Sequence, residues 1–300
     1  MWFRNLQILR SDSDASLSAD ELDRRLRQAA FQPAGAYAME SQGWIAPRGD
    51  DRFVHTAQGH WLIALGAEQK LLPASVVRQE VNNRAVEIER RMGVKPGRRR
   101  MKELKEEVIG ELVPRAFSRY RTTFGWIDRA GGWLVVDAAS PKKGEEFLTA
   151  LRRCLDTFPF TPLACNLSPA SAMAQWLAAA DAPGRFSIEG DCELRAALQE
   201  SQRVRYANHP LDTPEVRAHL ADGKQVTRLA LSWSDRVFFA LTDTLAVKRV
   251  ALLDLARDDT DNDAETDDDR FDADFALMTG LLGNMLTELV EALGGVQRTT

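Results

Sequence analysis

Cysteine is scarce in this 300-residue chain, and long apolar runs are missing. The three cysteines, Cys154, Cys165 and Cys192, are an odd number and lie far apart, so they form neither a disulfide framework nor a closely spaced metal-binding pair. Such sparse use is typical of the reducing cytoplasm. No run approaches the roughly 18 apolar residues that span a bilayer, and no signal-peptide pattern opens the chain. We therefore expect a cytoplasmic protein without a membrane partner.

The sequence also lacks the common motifs of catalysis. Its four histidines, His55, His60, His209 and His219, are scattered and show no metal-ligand spacing. No glycine-rich phosphate-binding motif and no GxSxG nucleophile elbow occurs. We expect a protein that is not an enzyme and that holds no cofactor and no metal.

One acidic run is the exception that could suggest an enzyme. Residues 258–274 hold ten acids and a single arginine. As a calcium loop starting at Asp259 the run fails, because Ala264 replaces the required glycine and Arg270 the required glutamate. Contiguous, mutually repelling carboxylates favour a solvated loop. The alternative is a nuclease that uses these carboxylates to bind Mg²⁺.

A second charged segment, residues 84–121, carries an excess of positive charge. This segment holds twelve basic and six acidic residues, whereas the whole chain has a formal net charge of −5. A local excess of this size is typical of a surface that binds a polyanion. The alternative is a solvated helical face with a buried phenylalanine.

The end of the basic segment adds aromatic side chains to the arginines. Phe117 and Tyr120 lie among Arg115, Arg119 and Arg121. Arginines can neutralise phosphates, while an aromatic ring can stack on a base or wedge into a base step. The pattern favours a nucleic-acid interface.

Hydrophobic periodicity and turn residues predict the elements of the first half of the chain. Arg98, Arg99 and Arg100 follow Pro96-Gly97, so they are predicted to lie in a turn between two helices. The predicted elements are a strand at 2–10, a helix at 19–30, strands at 44–47 and 53–65, helices at 75–93 and 101–114, strands at 122–127 and 133–138, and a helix after Lys143.

The second half is predicted in the same way. Thr213-Pro214-Glu215 is a strong helix start, with a capping threonine, proline at the first helical position and an acid at the positive end of the dipole. The predicted elements are short helices at 172–180 and 192–199, a helix from Thr213 to Gly223, strands at 225–233, 236–241 and 246–253, and a terminal helix at 272–293. The apolar face of that last helix either packs on its own domain or contributes to a homodimer contact.

This element order is typical of an α+β fold with antiparallel sheets, because strands and helices do not alternate as βαβ units. We expect three regions. Residues 1–66 and 122–165 form a central α+β region, 67–121 a projecting helical tip with a basic elbow, and 166–300 a base region with the acidic loop and the terminal helix.

Three separated motifs carry a resemblance to a known family. They are Trp2-Phe3-Arg4-Asn5-Leu6, then Leu112-Val113-Pro114-Arg115-Ala116-Phe117-Ser118-Arg119, and finally Arg270-Phe271-Asp272-Ala273-Asp274-Phe275 with Met278-Thr279-Gly280. Together they closely resemble the bacterial RdgC family of recombination-associated proteins, in the same order and over essentially the whole chain.

The resemblance implies a nucleoid-associated, non-enzymatic protein that binds DNA with little sequence preference. Two copies would form a ring whose positively lined hole encircles duplex DNA, and DNA occupancy would restrain strand exchange by RecA. Double-stranded or single-stranded DNA and a second copy are thus the expected partners. Direct action on RecA is the alternative.

The resemblance also assigns site residues. The aromatic residue that engages DNA falls on Phe117, which could instead hold the opposing tip. Together with the basic segment, the candidate DNA-binding residues are Arg98, Arg99, Arg100, Lys102, Arg115, Phe117, Arg119, Arg121, Lys142 and Lys143.

Overall fold

A computed structural model describes residues 2–11, 17–196, 202–253 and 266–297. The chain divides into two compact units. The body unit comprises Met1–Leu22, Val54–Ile63 and Phe124–Thr300, and the hairpin unit comprises Asp23–Phe53 and Ala64–Thr123. Helices and antiparallel strands occur in both, which confirms the α+β class. The three-region division remains a prediction, as do the ring and the projection of the tip.

The body unit is built on an antiparallel sheet. Its own strands are β1 (Leu6–Ser11), β3 (His55–Ala57), β6 (Trp133–Asp137), β7 (Phe160–Pro162), β8 (Phe186–Arg195), β9 (Arg203–Tyr206), β10 (Gln225–Trp233), β11 (Val237–Thr242) and β12 (Val247–Leu252). Strands β4 (His60–Lys70) and β5 (Ser118–Asp128) run from one unit into the other. From β5 the order is β5-β6-β1-β12-β11-β10-β8-β9, while β3 pairs with β4 and β7 with β1. The predicted meander of β10, β11 and β12 is confirmed.

Helices cover the body sheet with a large apolar core. They are α4 (Pro141–Cys154), α5 (Pro169–Ala179), α6 (Pro214–Ala221) and α7 (Asp267–Ala292). From α7, Phe275, Met278 and Leu282 pack with sheet residues such as Phe239 in one cluster. The apolar face of the terminal helix is therefore buried within its own unit, as the first of the two readings expected.

A close helix–sheet contact explains one glycine of the body unit. A Cβ at Gly125 would come within 2.4 Å of the ring of Phe147 on α4. Because Phe147 is fully buried, the ring has no free direction in which to move. Only glycine allows α4 to lie this close to β5.

The hairpin unit combines a short sheet with two long helices. Strand β2 (Glu40–Ile45) pairs antiparallel with β4, and Gly43 lies opposite Gly66. Helix α1 (Ala19–Gln28) begins in the body unit and ends here. Helices α2 (Ala74–Met92) and α3 (Arg98–Leu112) form an antiparallel pair around a small core of their own, composed of Val77, Val81, Leu104 and Val108.

Three predicted elements were wrong. The predicted strand at 53–65 is a hairpin of β3 and β4, whose turn residues Gln58 and Gly59 have positive φ. Arg98, Arg99 and Arg100 form the first turn of α3, because Gly97 is extended (φ −70°, ψ 170°) and serves as the N-cap. Arginine is a good helix former, so the helix begins directly after the break. Residues 192–195 belong to strand β8 instead of a helix, since Cys192 and Leu194 are buried while Glu193 and Arg195 are not, a period of two. Residues 197–199 lie outside the described part of the chain.

The acidic run also departs from the predicted loop. Residues 258–265 lie outside the described residues, but from Asp267 onward the chain is helical, five residues before the predicted start. Thr266 caps α7 by accepting the N–H of Asp269 at 3.1 Å. Asp267, Asp268 and Asp269 stand at the positive end of the helix dipole, which stabilises both the charges and the helix start.

Candidate nucleic-acid interface

The excess of positive charge coincides with one folding unit. The hairpin unit contains nineteen basic and twelve acidic residues, a formal charge of +7, in a chain whose net charge is −5. The remaining twenty basic and thirty-two acidic residues leave the body unit at −12. The hairpin unit can therefore attract a polyanion although the whole protein is acidic.

The first group of candidate residues, named here the elbow cations, comprises Arg98, Arg99, Arg100 and Lys102. They occupy the first turns of α3, whose N-cap Gly97 supplies no side-chain hydrogen bond and whose first turn carries no acid. Cations at the positive end of a helix dipole are unfavourable. Backbone N–H groups at such an end also favour anions. A phosphate bound here would offset the positive charge at this helix end and would accept hydrogen bonds from its backbone N–H groups.

Most of the elbow cations are paired with glutamates one or two turns along α3. Arg99 lies 3.2 Å from Glu103, Arg100 lies 2.8 Å from Glu107, and Lys102 lies 3.8 Å from Glu106. The hydrogen bond to Glu107, followed by that to Glu103, raises the pKa of Arg100. Arg98 forms no ion pair with any described residue. These solvent-exposed pairs are weak, so phosphates can compete with the carboxylates.

The second group, named the strand cluster, comprises Arg115, Phe117, Arg119 and Arg121. Arg115 ends a 3-10 turn, Val113–Arg115, and Arg119 and Arg121 lie on the same face of β5 because strand side chains alternate. The carbonyl of Phe117 accepts the N–H of Leu71 at 2.7 Å, which fixes the backbone, while its ring is 85% exposed. The aromatic residue expected to engage DNA is thus exposed, and its backbone is held by a hydrogen bond to β4's C-terminal neighbour Leu71.

The arginines of the strand cluster are free of ion pairs within the described chain. No described carboxylate lies within ion-pair distance of Arg115, Arg119 or Arg121, and the buried Nε of Arg121 has no hydrogen-bond partner. Arg84 chiefly, with a smaller electrostatic contribution from Arg115, lowers the pKa of Glu111. Since no ion pair within the described chain has to be broken, these side chains are available to an external anion.

A buried glutamate supports the strand cluster from behind. Glu68 is almost fully buried and accepts hydrogen bonds from the hydroxyl of Ser118 and from the N–H of Ala34, while Lys70 lies 3.6 Å away. The hydrogen bond from Ser118, followed by that from Ala34, lowers the pKa of Glu68. Because Ser118 stands between Phe117 and Arg119, Glu68 fixes the start of β5.

We expect the exchange Glu68→Gln to lower the stability of the protein in a pH-dependent way. A carboxylate whose pKa is lower in the folded state contributes stability above its unfolded value of about 4.5, and loses it as the pH falls through the folded pKa. The difference in free energy of unfolding between wild type and variant should therefore be largest near pH 7 and shrink below pH ~4.5. Urea denaturation at several pH values measures it.

The matched control is Glu40→Gln, an exposed glutamate on β2 of the same unit. It should leave the pH dependence as it is in the wild type. A Glu68→Gln variant as stable as the wild type across the range would show that the carboxylate does not hold the start of β5.

Lys142 and Lys143 lie in the body unit, in the first turn of α4. Ser140 caps this helix, and again no acid stands in the first turn. Lys142 lies 3.9 Å from Glu146, and Lys143 forms no ion pair with any described residue. The first turn of α4 therefore resembles that of α3, because each carries cations and no acidic residue.

The structure does not gather the candidate residues into one site. The elbow cations and the strand cluster lie at opposite ends of α3, whose fifteen residues span about 22 Å. The lysine pair belongs to the other unit. The candidates thus form three cationic patches, two in the hairpin unit and one in the body unit. The distance between the two patches of the hairpin unit suits contact with an extended polymer better than with one small anion.

The structure adds an apolar pair that the sequence reading missed. Met92 and Val94 stand at the turn between α2 and α3, and their side chains are 74% and 71% exposed. Arg91, Lys95 and Arg98 flank them. Exposed apolar side chains among cations are a means of wedging into base steps. The signal was present in the sequence as Met-Gly-Val between basic residues.

A second missed group is a set of cations on the body sheet. Arg205, Arg228, Lys248 and Arg249 come from β9, β10 and β12, and the carboxylates of Asp137, Asp191 and Glu193 lie among them. Burial, followed by the nearby charge of Arg249, lowers the pKa of Arg228. Burial and then Arg228 lower the pKa of Lys248. Crowded cations of this kind favour an added anion.

Within the described ranges, no three His, Cys, Asp or Glu side chains come close enough together to hold a metal ion. None of the helices described combines the length and the apolar character needed to cross a membrane.

Comparison with known proteins gives consistent matches along the chain. The family model described as "Putative exonuclease, RdgC" matches residues 1–296. The protein called "Recombination-associated protein RdgC" of Dechloromonas aromatica (strain RCB) is 48% identical over 298 residues, covering 98% of each chain. Proteins of the same name from Herminiimonas arsenicoxydans and Cupriavidus necator are also 48% identical, covering 99% of this chain and 99% and 100% of their own.

Proposed function

The chain belongs to the RdgC family of recombination-associated proteins, and from this premise we propose that it binds DNA without sequence preference. The observation that carries the proposal is the strand cluster. Phe117 is 85% exposed on a fixed backbone, and the neighbouring Arg115 and Arg119 have no internal ion pair within the described chain. An exposed ring between available cations suits contact with bases and phosphates together.

Affinity in this proposal comes from neutralising phosphates. Each Arg or Lys that reaches a phosphate releases condensed counterions, so binding weakens steeply with salt and reads no sequence. The three cationic patches provide such contacts along a duplex. The exposed acids at the start of α7, Asp267, Asp268 and Asp269, would repel DNA from that part of the body surface.

We further propose that two copies close into a ring that encircles duplex DNA, with residues 67–121 as the tips. By occupying DNA of the nucleoid, the ring would restrain recombination promoted by RecA. The resemblance to the RdgC family and the segregation of charge between the two units support this arrangement. Light scattering should then give a mass near twice that of the 33.5 kDa chain.

The proposal is tested by measuring affinity for several duplexes of unrelated sequence over a range of salt concentrations. We expect similar dissociation constants for all of them and a linear fall of log affinity with log salt. A preference of more than about a thousandfold for one sequence would mark a sequence-specific protein and contradict the proposal.

The description of the matched family model makes exonuclease activity the function to test against. We propose that the protein binds DNA without cleaving it. Incubation with an end-labelled linear duplex and Mg²⁺ or Mn²⁺ should therefore return the full-length strand. Shortened strands that disappear when a chelator is added would overturn this part of the proposal, because they would indicate metal-dependent hydrolysis.

A further inference from the structure

The hairpin unit contains an apolar cleft that the proposed DNA interface does not use. It is lined by residues 74, 77, 78, 81 and 82 of α2, by residues 101, 105 and 109 of α3, and by Met39 and Leu72. These spacings of three and four place each set on one helix face. The volume is about 470 Å³, within the range of ligand sites in proteins.

The floor and walls of the cleft are apolar side chains of an established core. Val77 and Val81 are buried in the small core between the helices, and Leu72, Met101 and Ile109 pack against that core. The cleft therefore lies on one side of a well-packed helix pair. Methionine is flexible and adapts to a bound apolar surface, and Met39 and Met101 stand at the walls.

The charges at the cleft have one sign. Arg78 and Lys105 are its only charged lining residues among those described, and both are exposed. Neither forms an ion pair with a described residue. In contrast, Arg84, Arg91 and Lys102 on the same two helices are all paired with glutamates.

We propose that this cleft binds an acidic amphipathic helix of a partner protein. The leucine-type side chains of such a helix would fill the apolar floor, and its carboxylates would meet Arg78 and Lys105 across the rim. The lining residues extend over nine positions of each helix, and the first and last of them lie about 12 Å apart along the axis, so the contact corresponds to about two turns of the bound helix.

The same cleft of a second copy and duplex DNA both fit this cleft less well. A second copy joined by a two-fold axis through the cleft would place Arg78 and Lys105 near the same cations of its partner, since such contacts repeat each patch on itself. Duplex DNA would meet the two cations but would leave the apolar floor exposed. An acidic amphipathic helix would cover the apolar side chains of the cleft and would also bring carboxylates to Arg78 and Lys105.

The test uses two fluorescein-labelled peptides of 15 residues with leucines at helix spacing, one with glutamates and the other with lysines at the remaining positions. Anisotropy titrations with the full-length protein should show that the Leu–Glu peptide binds about tenfold or more tightly than the Leu–Lys peptide, as expected for two rim charges. Its helical circular dichroism should rise on binding.

The double variant Arg78→Glu/Lys105→Glu should reverse this preference. Both side chains are exposed and have no internal ion pair within the described chain, so the exchange should leave folding intact. The control Arg90→Glu/Lys95→Glu makes the same two exchanges on exposed residues outside the cleft and should alter binding by less than about twofold.

Three results would overturn the proposal. Equal binding of both peptides, or equal effects of the cleft variant and the control variant, would reduce it to general charge attraction. A change in molecular mass of the cleft variant in light scattering would mark the cleft as a contact between copies of this chain. Because DNA affinity is measured separately, failure here leaves the proposed DNA binding untouched, and failure of DNA binding leaves the peptide result interpretable.

Discussion

Replacing Arg115 and Arg119 together by alanine should weaken binding to duplex DNA by about a hundredfold at 0.1 M salt. Neither arginine has an ion pair within the described chain, so neither has to break one to bind a phosphate. Each lost phosphate contact removes close to one unit from the slope of log affinity against log salt, and at 0.1 M salt one unit corresponds to about tenfold. The loss should be the same for every duplex sequence.

The matched control removes the same charge elsewhere in the hairpin unit. Arg24→Ala/Arg25→Ala changes two arginines of α1, outside all three cationic patches. We expect its salt slope to stay within about half a unit of the wild type. If both double variants weaken binding equally, the general charge of the unit, and not the strand cluster, attracts the DNA.

Phe117→Ala should reduce DNA affinity by about fivefold to a hundredfold while leaving the free energy of unfolding within about 0.5 kcal/mol of wild type. Stacking of one base on an aromatic ring contributes about 1–3 kcal/mol. A buried phenylalanine would cost about 3–5 kcal/mol of stability on truncation, but this ring is 85% exposed. Anisotropy titration and urea denaturation measure the two quantities.

Tyr37→Ala provides the comparison, because Tyr37 is an aromatic of the same unit that is 77% exposed and lies outside the strand cluster. Neither its DNA affinity nor its stability should change appreciably. An unchanged affinity in Phe117→Ala would remove the ring from the interface. A changed molecular mass in light scattering would instead assign it to the contact between two tips.

The local signals in the sequence predicted the elements well wherever cap and turn residues were clear. The Thr213-Pro214-Glu215 start gives α6, in which Thr213 accepts the N–H of Val216. The prediction of an element was wrong where the same residues are compatible with two local structures. Gly97, expected to extend a break, is itself the N-cap of α3, and the apolar pair Cys192 and Leu194 fits a strand as well as a short helix.

Charge composition predicted the surface but not its geometry. Twelve basic residues between 84 and 121 suggested one interface, whereas the length of α3 separates Arg98 from Arg115 by about 22 Å. The body-sheet cations were missed because Arg205, Arg228 and Lys248 are distant in sequence and meet only through strand pairing. The pairing of Glu193 with Arg228 on one side and with Arg205 on the other brings them together.

Helices α2 and α3 form an insertion between β4 and β5. The N–H of Leu71 donates to the carbonyl of Phe117, so the two ends of this insertion lie next to each other. The ends of the insertion are joined and the helix pair has a core of its own. Seven residues added to each helix would therefore lengthen the pair by about 10 Å and leave its connections to β4 and β5 unchanged. The length of α2 and α3 can therefore change by whole helical turns during evolution without altering the segment that carries Phe117.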